Sequence, residues 1–348
     1  MFRIVEQLVW IAGAPDQRIL ITMLFRTEIK AAKSEIQLEP YEPVMMTGSC
    51  FAENIVLRMH RTLWGAYNPF GMLYNPMSIF SVLKNLLIQE ENEALTAFEK
   101  SAFQSGCIFY SWMFDSRMHG KSIEELVAKY KDLRKDVRDF MATCDTMFVT
   151  FGTSWCYALA DHGTYDAMTD NVVSNCHKQP AGLFRRFRLT PDRITDCWSD
   201  LIHGLRMKYP GLRFVFTVSP VRHLKDGIHE NTLSKAILHL AIEQLCLEES
   251  ECFYFPAFEL LNDDLRDYRF YAADMAHPSD PAVEYIWEHF QQTFMSESTR
   301  RVVAEGEKLY KRLNHRPITG IPDPAFLKET DRLLSEFRQK HPLAGLQP

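Results

Sequence analysis

Apolar positions cluster in four compact runs, at 43–47, 146–151, 213–218 and 252–255. Each is uninterrupted rather than alternating, which is the pattern of a strand buried on both faces. Between them the apolar spacing lengthens to a helical period. Phe51, Ile55, Met59 and Leu63 follow the first run, and Ile123, Leu126, Tyr130 and Leu133 precede the second. Stretches 191–207, 232–247 and 285–294 also read as helices. Strand alternating with helix predicts an open parallel sheet with helices on both faces, binding ligands beyond the carboxyl ends of its strands. The segment 62–120, rich in Asn, Pro and aromatic residues, reads as loops and an irregular cap. Beyond 298 the pattern is that of a charged helical tail broken by Pro317, Pro322 and Pro324.

Composition narrows the class of protein. With 348 residues, 46% of them hydrophobic and 24% charged, the chain has the balance of a globular protein. The division this suggests is an N-terminal extension at 1–22, a main domain at 23–298 and a helical tail at 299–348. The first apolar stretch is interrupted by Glu6, Asp16, Gln17 and Arg18, so it makes a poor signal peptide, and Met23 is an alternative start. A net charge of −6 lacks the basic surplus that a phosphate backbone rewards, so no nucleic-acid partner is expected. The one basic cluster, Arg185, Arg186 and Arg188, reads as a solvated or structural patch. Scattered cysteines with no C-x-x-C pair indicate reduced thiols, no zinc site and a cytoplasmic setting. No apolar run is long enough to span a membrane.

Two segments carry candidate chemistry. Gly48-Ser49 ends the first strand where a helix begins. A serine at such a turn is exposed beside the positive end of the helix dipole, where a nucleophile and its developing oxyanion gain from nearby N–H groups. The same residues also describe a plain turn with an N-cap. Cys50 is a rival nucleophile, or a small apolar plug behind the serine. After the last strand, Asp274 lies three residues before His277, a spacing at which a carboxylate can orient an imidazole for proton transfer. Pro278 restricts His277 to extended geometry. Asn175, His177, Lys178, Arg222 and His223 fall in loops expected on the same rim and suited to an anionic or polyhydroxy ligand, Arg222 by a bidentate grip. Asn231, Ser234 and Lys235 read as capping and surface residues at the start of a helix. Trp64, Tyr67, Phe70, Tyr74, Tyr110, Trp112 and Trp155 are candidates for a sugar or acyl wall.

Gly48-Ser49-Cys50-Phe51-Ala52 resembles the motif for which the GSCFA family is named. Asn68–Gly71, Leu73–Pro76, Phe151–Trp155, Asn175–Lys178, Ser219–His223 and Asp274–Pro278 resemble its other segments. That family is grouped with the SGNH/GDSL-like hydrolases. The resemblance implies a three-layer α/β/α sandwich with a flavodoxin-like parallel sheet, here with irregular loop insertions. It also implies a Ser49 nucleophile, a His277 base and an orienting Asp274, with no metal and no organic cofactor. The oxyanion hole implied uses the N–H of Ser49 and of Gly71 plus a side-chain donor. The position where that group has an Asn reads Gly152-Thr153, so Thr153 or a nearby amide (Asn68, Asn75 or Asn175) takes its place. The function implied is a serine-dependent acyl-ester hydrolase or acyltransferase acting on an O-acylated carbohydrate or other small ester. The alternative is a catalytically inactive binding or scaffold protein on the same fold.

Overall fold

The computed structural model describes residues 26–160, 171–317, 320 and 323–344, together with a short pairing of Gln7–Leu8 with Leu20–Ile21. The expected extension at 1–22 lies mostly outside the described residues.

The centre is a parallel sheet of β1 (Val44–Gly48), β2 (Thr146–Phe151), β3 (Arg213–Val218) and β4 (Cys252–Tyr254), paired in that order. Because side chains alternate across a strand, each strand feeds two cores. Met45, Met147, Val149, Phe214 and Phe216 pack on one face. Val44, Met46, Phe148 and Val215 pack on the other. This is why the strands read as unbroken apolar runs.

Beyond β1, residues Tyr67 and Met72 bridge in parallel to Met45 and Gly48. That segment is a degenerate strand on the outer side of β1, so the chain order reverses at β1. Right-handed crossovers then place helices on opposite faces for the two directions of travel. Helix α1 (Cys50–His60) covers the second face, while α4 (Ile123–Met141), α5 (Pro191–Lys208) and α6 (Ile228–Glu248) cover the first. The result is a three-layer α/β/α sandwich whose switch point lies at the carboxyl ends of β1 and β2, where such sheets bind ligands.

Residues 62–120 are more ordered than an irregular cap. They form α2 (Pro76–Leu83), α3 (Glu91–Lys100) and the hairpin of Ala102–Ser105 with Ile108–Ser111. Asn75 caps α2, accepting from Ser78 N–H at 2.8 Å, and Pro76 takes its first position, where a missing N–H costs nothing. The Asn-Pro pair was the signal. The last helices, α7 (Asp280–Phe294), α8 (Glu297–Leu313) and α9 (Pro324–Lys340), join the second core through Phe290, Val303, Leu309 and Phe337. No helix among the described residues is long and apolar enough to cross a membrane.

At the end of β1, Gly48 adopts φ +130°, and a Cβ there would sit 2.1 Å from the Thr150 carbonyl oxygen. Only glycine tolerates both conditions. Gly48→Ala is therefore expected to lower stability by about 2–4 kcal/mol, read as a lower urea midpoint. An unchanged midpoint would contradict the close approach of β1 and β2.

Candidate active site

Ser49 follows directly, with φ −73° and ψ 175°, as the N-cap of α1. Its Oγ accepts from Phe51 N–H at 3.3 Å, and its carbonyl accepts from Ala52 N–H at 2.9 Å. The residue is only 2% exposed, unlike the exposed hydroxyl expected from the turn. The hydroxyl is folded into its own cap, and Gly152 stands over it: a Cβ on Gly152 would be 3.3 Å from Ser49 Cβ. Cys50 is half-buried, and burial raises its thiol pKa despite the helix N-terminus, which opposes the thiolate reading.

Gly152 is the hub of the switch point. Its N–H and that of Thr153 both donate to Tyr74 O, each at 2.9 Å. Its own carbonyl accepts from Lys235 Nζ at 2.6 Å and faces His223 Nε2 at 3.1 Å. Lys235 Nζ also donates to Ser219 O at 2.7 Å, joining β2, β3 and α6. Lys235 is thus a buried amine, not a surface residue, and desolvation pushes its pKa down to about 7. Ser234 is buried too; its Oγ accepts from Ser154 N–H at 2.8 Å and meets Thr153 Oγ1 at 3.1 Å. Their helical spacing with Leu238, Ala241, Ile242 and Leu245 was the available signal, since all six share the buried face of α6. Asn231 does not cap α6, whose N-cap is Gly227; from the first turn its Oδ1 accepts from the loop N–H of His223 at 2.9 Å. Burial and the nearby Lys235 lower the His223 pKa to about 4, so its ring is neutral near pH 7. Donation from Nε2 to the Gly152 carbonyl then fixes the tautomer and leaves Nδ1 as acceptor.

On the following loop, His277 Nδ1 lies 2.6 Å from Asp274 Oδ2. Asp274 Oδ1 accepts from Ala276 and His277 N–H at 2.9 and 3.0 Å. These bonds to the charged form, the His277 N–H foremost, hold the Asp274 pKa well below the usual carboxylate range. Both side chains are about half exposed. His277 and Ser49 make no direct hydrogen bond. The His223 ring bonds to the Gly152 carbonyl, and Gly152 stands over Ser49.

A cavity of about 450 Å³ opens beside this hub, walled by Tyr74, Asn75, Thr153, Trp155, Asn175 and His223, among others. The strand Trp155–Leu159 buries Cys156 and Ala158 and turns Trp155 and Tyr157 to the cavity. Its antiparallel partner Phe184–Arg188 brings Arg186 over Trp155, 4.0 Å from the ring centroid, and into a bidentate pair with Asp226. Of the basic cluster, Arg186 is therefore part of the cavity wall. Arg188 pairs with Glu230 at 2.7 Å.

The remaining expected residues divide clearly. Arg222 and Asn175 line the cavity. His177 does not: it is buried between Phe103, Tyr110 and Trp112, its Nε2 held 3.1 Å from the Ser111 and Phe114 carbonyls, and burial lowers its pKa. It is a packing residue rather than a ligand contact. Lys178 is exposed at φ +57° and lies off the cavity wall. Gly71 (φ +74°) is pressed against Asp115 and Arg117, where a Cβ would meet Asp115 Oδ2 at 2.3 Å. Asn68 stays off the cavity with Oδ1 buried and unpartnered. Thr153 spends its N–H on Tyr74, and its hydroxyl accepts from Trp155 N–H at 3.1 Å and meets Ser234. Asn75 differs: its Oδ1 is fixed by the α2 cap, so its Nδ2 is the free donor end of an oriented amide on the cavity wall. Of the aromatic candidates, Tyr74 and Trp155 reach the cavity, whereas Trp64 and Phe70 are core. Among the described residues no group of three or more His, Cys, Asp or Glu side chains is placed to hold a metal ion.

A parallel α/β sandwich with a capped serine at its switch point and an Asp–His loop tied to the segment after β3 thus defines the class of protein. The GSCFA family model matches residues 43–290, which spans the whole sheet, and the chain belongs to that family. No curated protein matches it. One solved structure, of a candidate platelet activating factor from Streptococcus pneumonia, superposes with a TM-score of 0.36 at 12% identity, covering 74% of this chain and 85% of that one. Agreement at that level says nothing further about this chain.

The depressed Lys235 pKa gives a signed prediction. The unfolded chain keeps its Lys235 proton up to about 10.5 and the folded chain releases it near 7, so stability rises with pH between those values. In paired urea titrations from pH 7 to 10, the stability of wild type relative to Lys235→Met should climb. A flat difference would mean Lys235 titrates normally.

Proposed function

We propose that this chain is a serine-dependent acyl-ester hydrolase or acyltransferase of the SGNH type, with an O-acylated carbohydrate as the preferred substrate class. The observation that supports the reading is the 2.6 Å Asp274–His277 pair, on a loop bonded to Arg222 after β3, together with the serine that caps α1 at the end of β1. Asp274 holds the Nδ1–H tautomer, which leaves His277 Nε2 as the base. Ser49 Oγ leaves its cap by a χ1 rotation, giving up one neutral hydrogen bond worth about 0.5–1.5 kcal/mol. It attacks the ester carbonyl as its proton passes to His277. The oxyanion is met by Ser49 N–H and Asn75 Nδ2, the latter standing in for the missing Asn after Gly152. His277 then protonates the leaving alkoxide. Water, or a sugar hydroxyl, takes the acyl group from Ser49. Trp155 and Tyr157 supply apolar faces suited to a sugar ring.

A second reading is a binding protein without turnover. It is favoured by the burial of Ser49 and by its lack of a bond to His277.

The two readings separate with a fluorophosphonate probe and intact-mass spectrometry. The catalytic reading expects labelling of wild type, none of Ser49→Ala, and strong loss in His277→Ala. No labelling of folded wild type would favour binding alone. Asn75→Asp keeps the α2 cap but deletes the donor, so the esterase rate should fall roughly 10²–10³-fold with little change in Tm. A rate within a few-fold of wild type would remove Asn75 from the oxyanion hole.

A further inference from the structure

Around the site, the carboxylates are already engaged and several cations are not. Asp226 is matched by Arg186, and Asp267 by Arg269 at 3.0 Å. Arg222, Lys225 and Arg266 have no carboxylate within 4.0 Å among the described residues. In a chain of net charge −6, this leaves a local surplus of positive charge.

Arg222 is the best placed of the three. It lines the 450 Å³ cavity and also a neighbouring one of about 250 Å³, formed with Asn262, Arg266, Tyr268 and Tyr271. Lys225 belongs to the first cavity and Arg266 to the second. The Arg222 guanidinium is held in place rather than loose in solvent: it lies 3.9 Å from the Tyr271 ring centroid. Tyr271 is in turn fixed by its hydroxyl, which donates to Asn262 Oδ1 at 3.0 Å. Arg222 also interacts with the Tyr271 hydroxyl, and a guanidinium with five N–H donors keeps others for a planar oxyanion. The backbone ties this cation to the chemistry, since Arg222 N–H donates to Ala276 O at 3.0 Å, one residue before His277.

We infer that the two cavities form one divided site in which Arg222, backed by Lys225 and Arg266, binds an oxyanion group of the ligand, a carboxylate or a phosphate. The substrate is then an anionic ester, one part seated against Trp155 and the charged part at Arg222. This substrate class rests on the hydrolase or acyltransferase reading above, but the anion site does not. Arg186 cannot serve in this role, because Asp226 already neutralises it.

Calorimetric titration with inorganic phosphate and with succinate tests the site directly. Wild type and Ser49→Ala should bind at least one of the two ions alike. Arg222→Met should bind it about ten- to a hundredfold more weakly, the loss of a charge-assisted bidentate contact. Preference for phosphate or for succinate tells which oxyanion the site takes. Absence of binding of both ions to wild type, a titration that needs no variant, would overturn the inference, as would equal binding by Arg222→Met. Kinetics add a second arm: the ratio of kcat/KM for 4-nitrophenyl hemisuccinate to that for 4-nitrophenyl acetate should fall about tenfold or more in Arg222→Met. If ions bind but no fluorophosphonate label forms, the anion site stands and the catalytic reading falls. If the label forms and no ion binds, the reverse holds.

Discussion

The peptide at Gly152 holds the switch point together. Its carbonyl accepts from the buried Lys235 amine and the His223 ring, while its N–H and that of Thr153 grip Tyr74 O. Four pieces of chain meet there: the end of β2, the loop after β3, the inner face of α6 and the Tyr74–Asn75 segment that starts α2. Gly152 must be glycine, since a Cβ would lie 2.7 Å from Tyr74 O and press on Ser49. Burying an amine costs several kcal/mol unless hydrogen bonds compensate. Lys235 therefore makes two bonds to carbonyls and titrates low. The arrangement fixes Asn75, His223 and the floor above Ser49 before any ligand arrives, as electrostatic preorganisation requires.

The site has a rigid half and an exposed half. Ser49, Gly152 and Asn75 belong to the buried ends of strands and to helix caps. Asp274 and His277 stand on an exposed loop, held by bonds within the loop, by the pairing of Tyr271 with Pro278 and by the bond from Arg222 to Ala276. In the proposed mechanism, a hydroxyl kept in its cap and an imidazole kept on a separate loop make a site at rest. In such sites the hydrogen bond between nucleophile and base commonly tightens only with substrate present.

The strands and main helices were legible because burial on both faces leaves continuous apolar runs, and all four central strands lie within a residue of their expected ends. The Asp274–His277 pair was legible because a local spacing of three suffices to bring the side chains together. The rest depends on long-range packing. The spacing of Lys235 with Leu238, Ala241, Ile242 and Leu245 marks the buried face of α6, but it gives no hint of the carbonyls the amine will meet. His177 looked like a ligand contact, but its loop folds inward under Trp112. Ser49 looked exposed, because the turn alone does not show Gly152 above it. The pairing that places Arg186 on Trp155 joins Trp155–Leu159 to Phe184–Arg188 across the intervening residues 160–183, which no local pattern announces.

The central claim is that Ser49 is the nucleophile and that Asn75 and His277 converge on it. A crystal structure of the protein reacted with a small fluorophosphonate tests this most directly. The account predicts phosphorus bonded to Ser49 Oγ, its oxygen within hydrogen-bond distance of Asn75 Nδ2, and His277 Nε2 turned toward the adduct with Asp274 still on Nδ1. An adduct on another residue, or one on Ser49 whose oxygen points away from Asn75 while His277 stays in solvent, would contradict it.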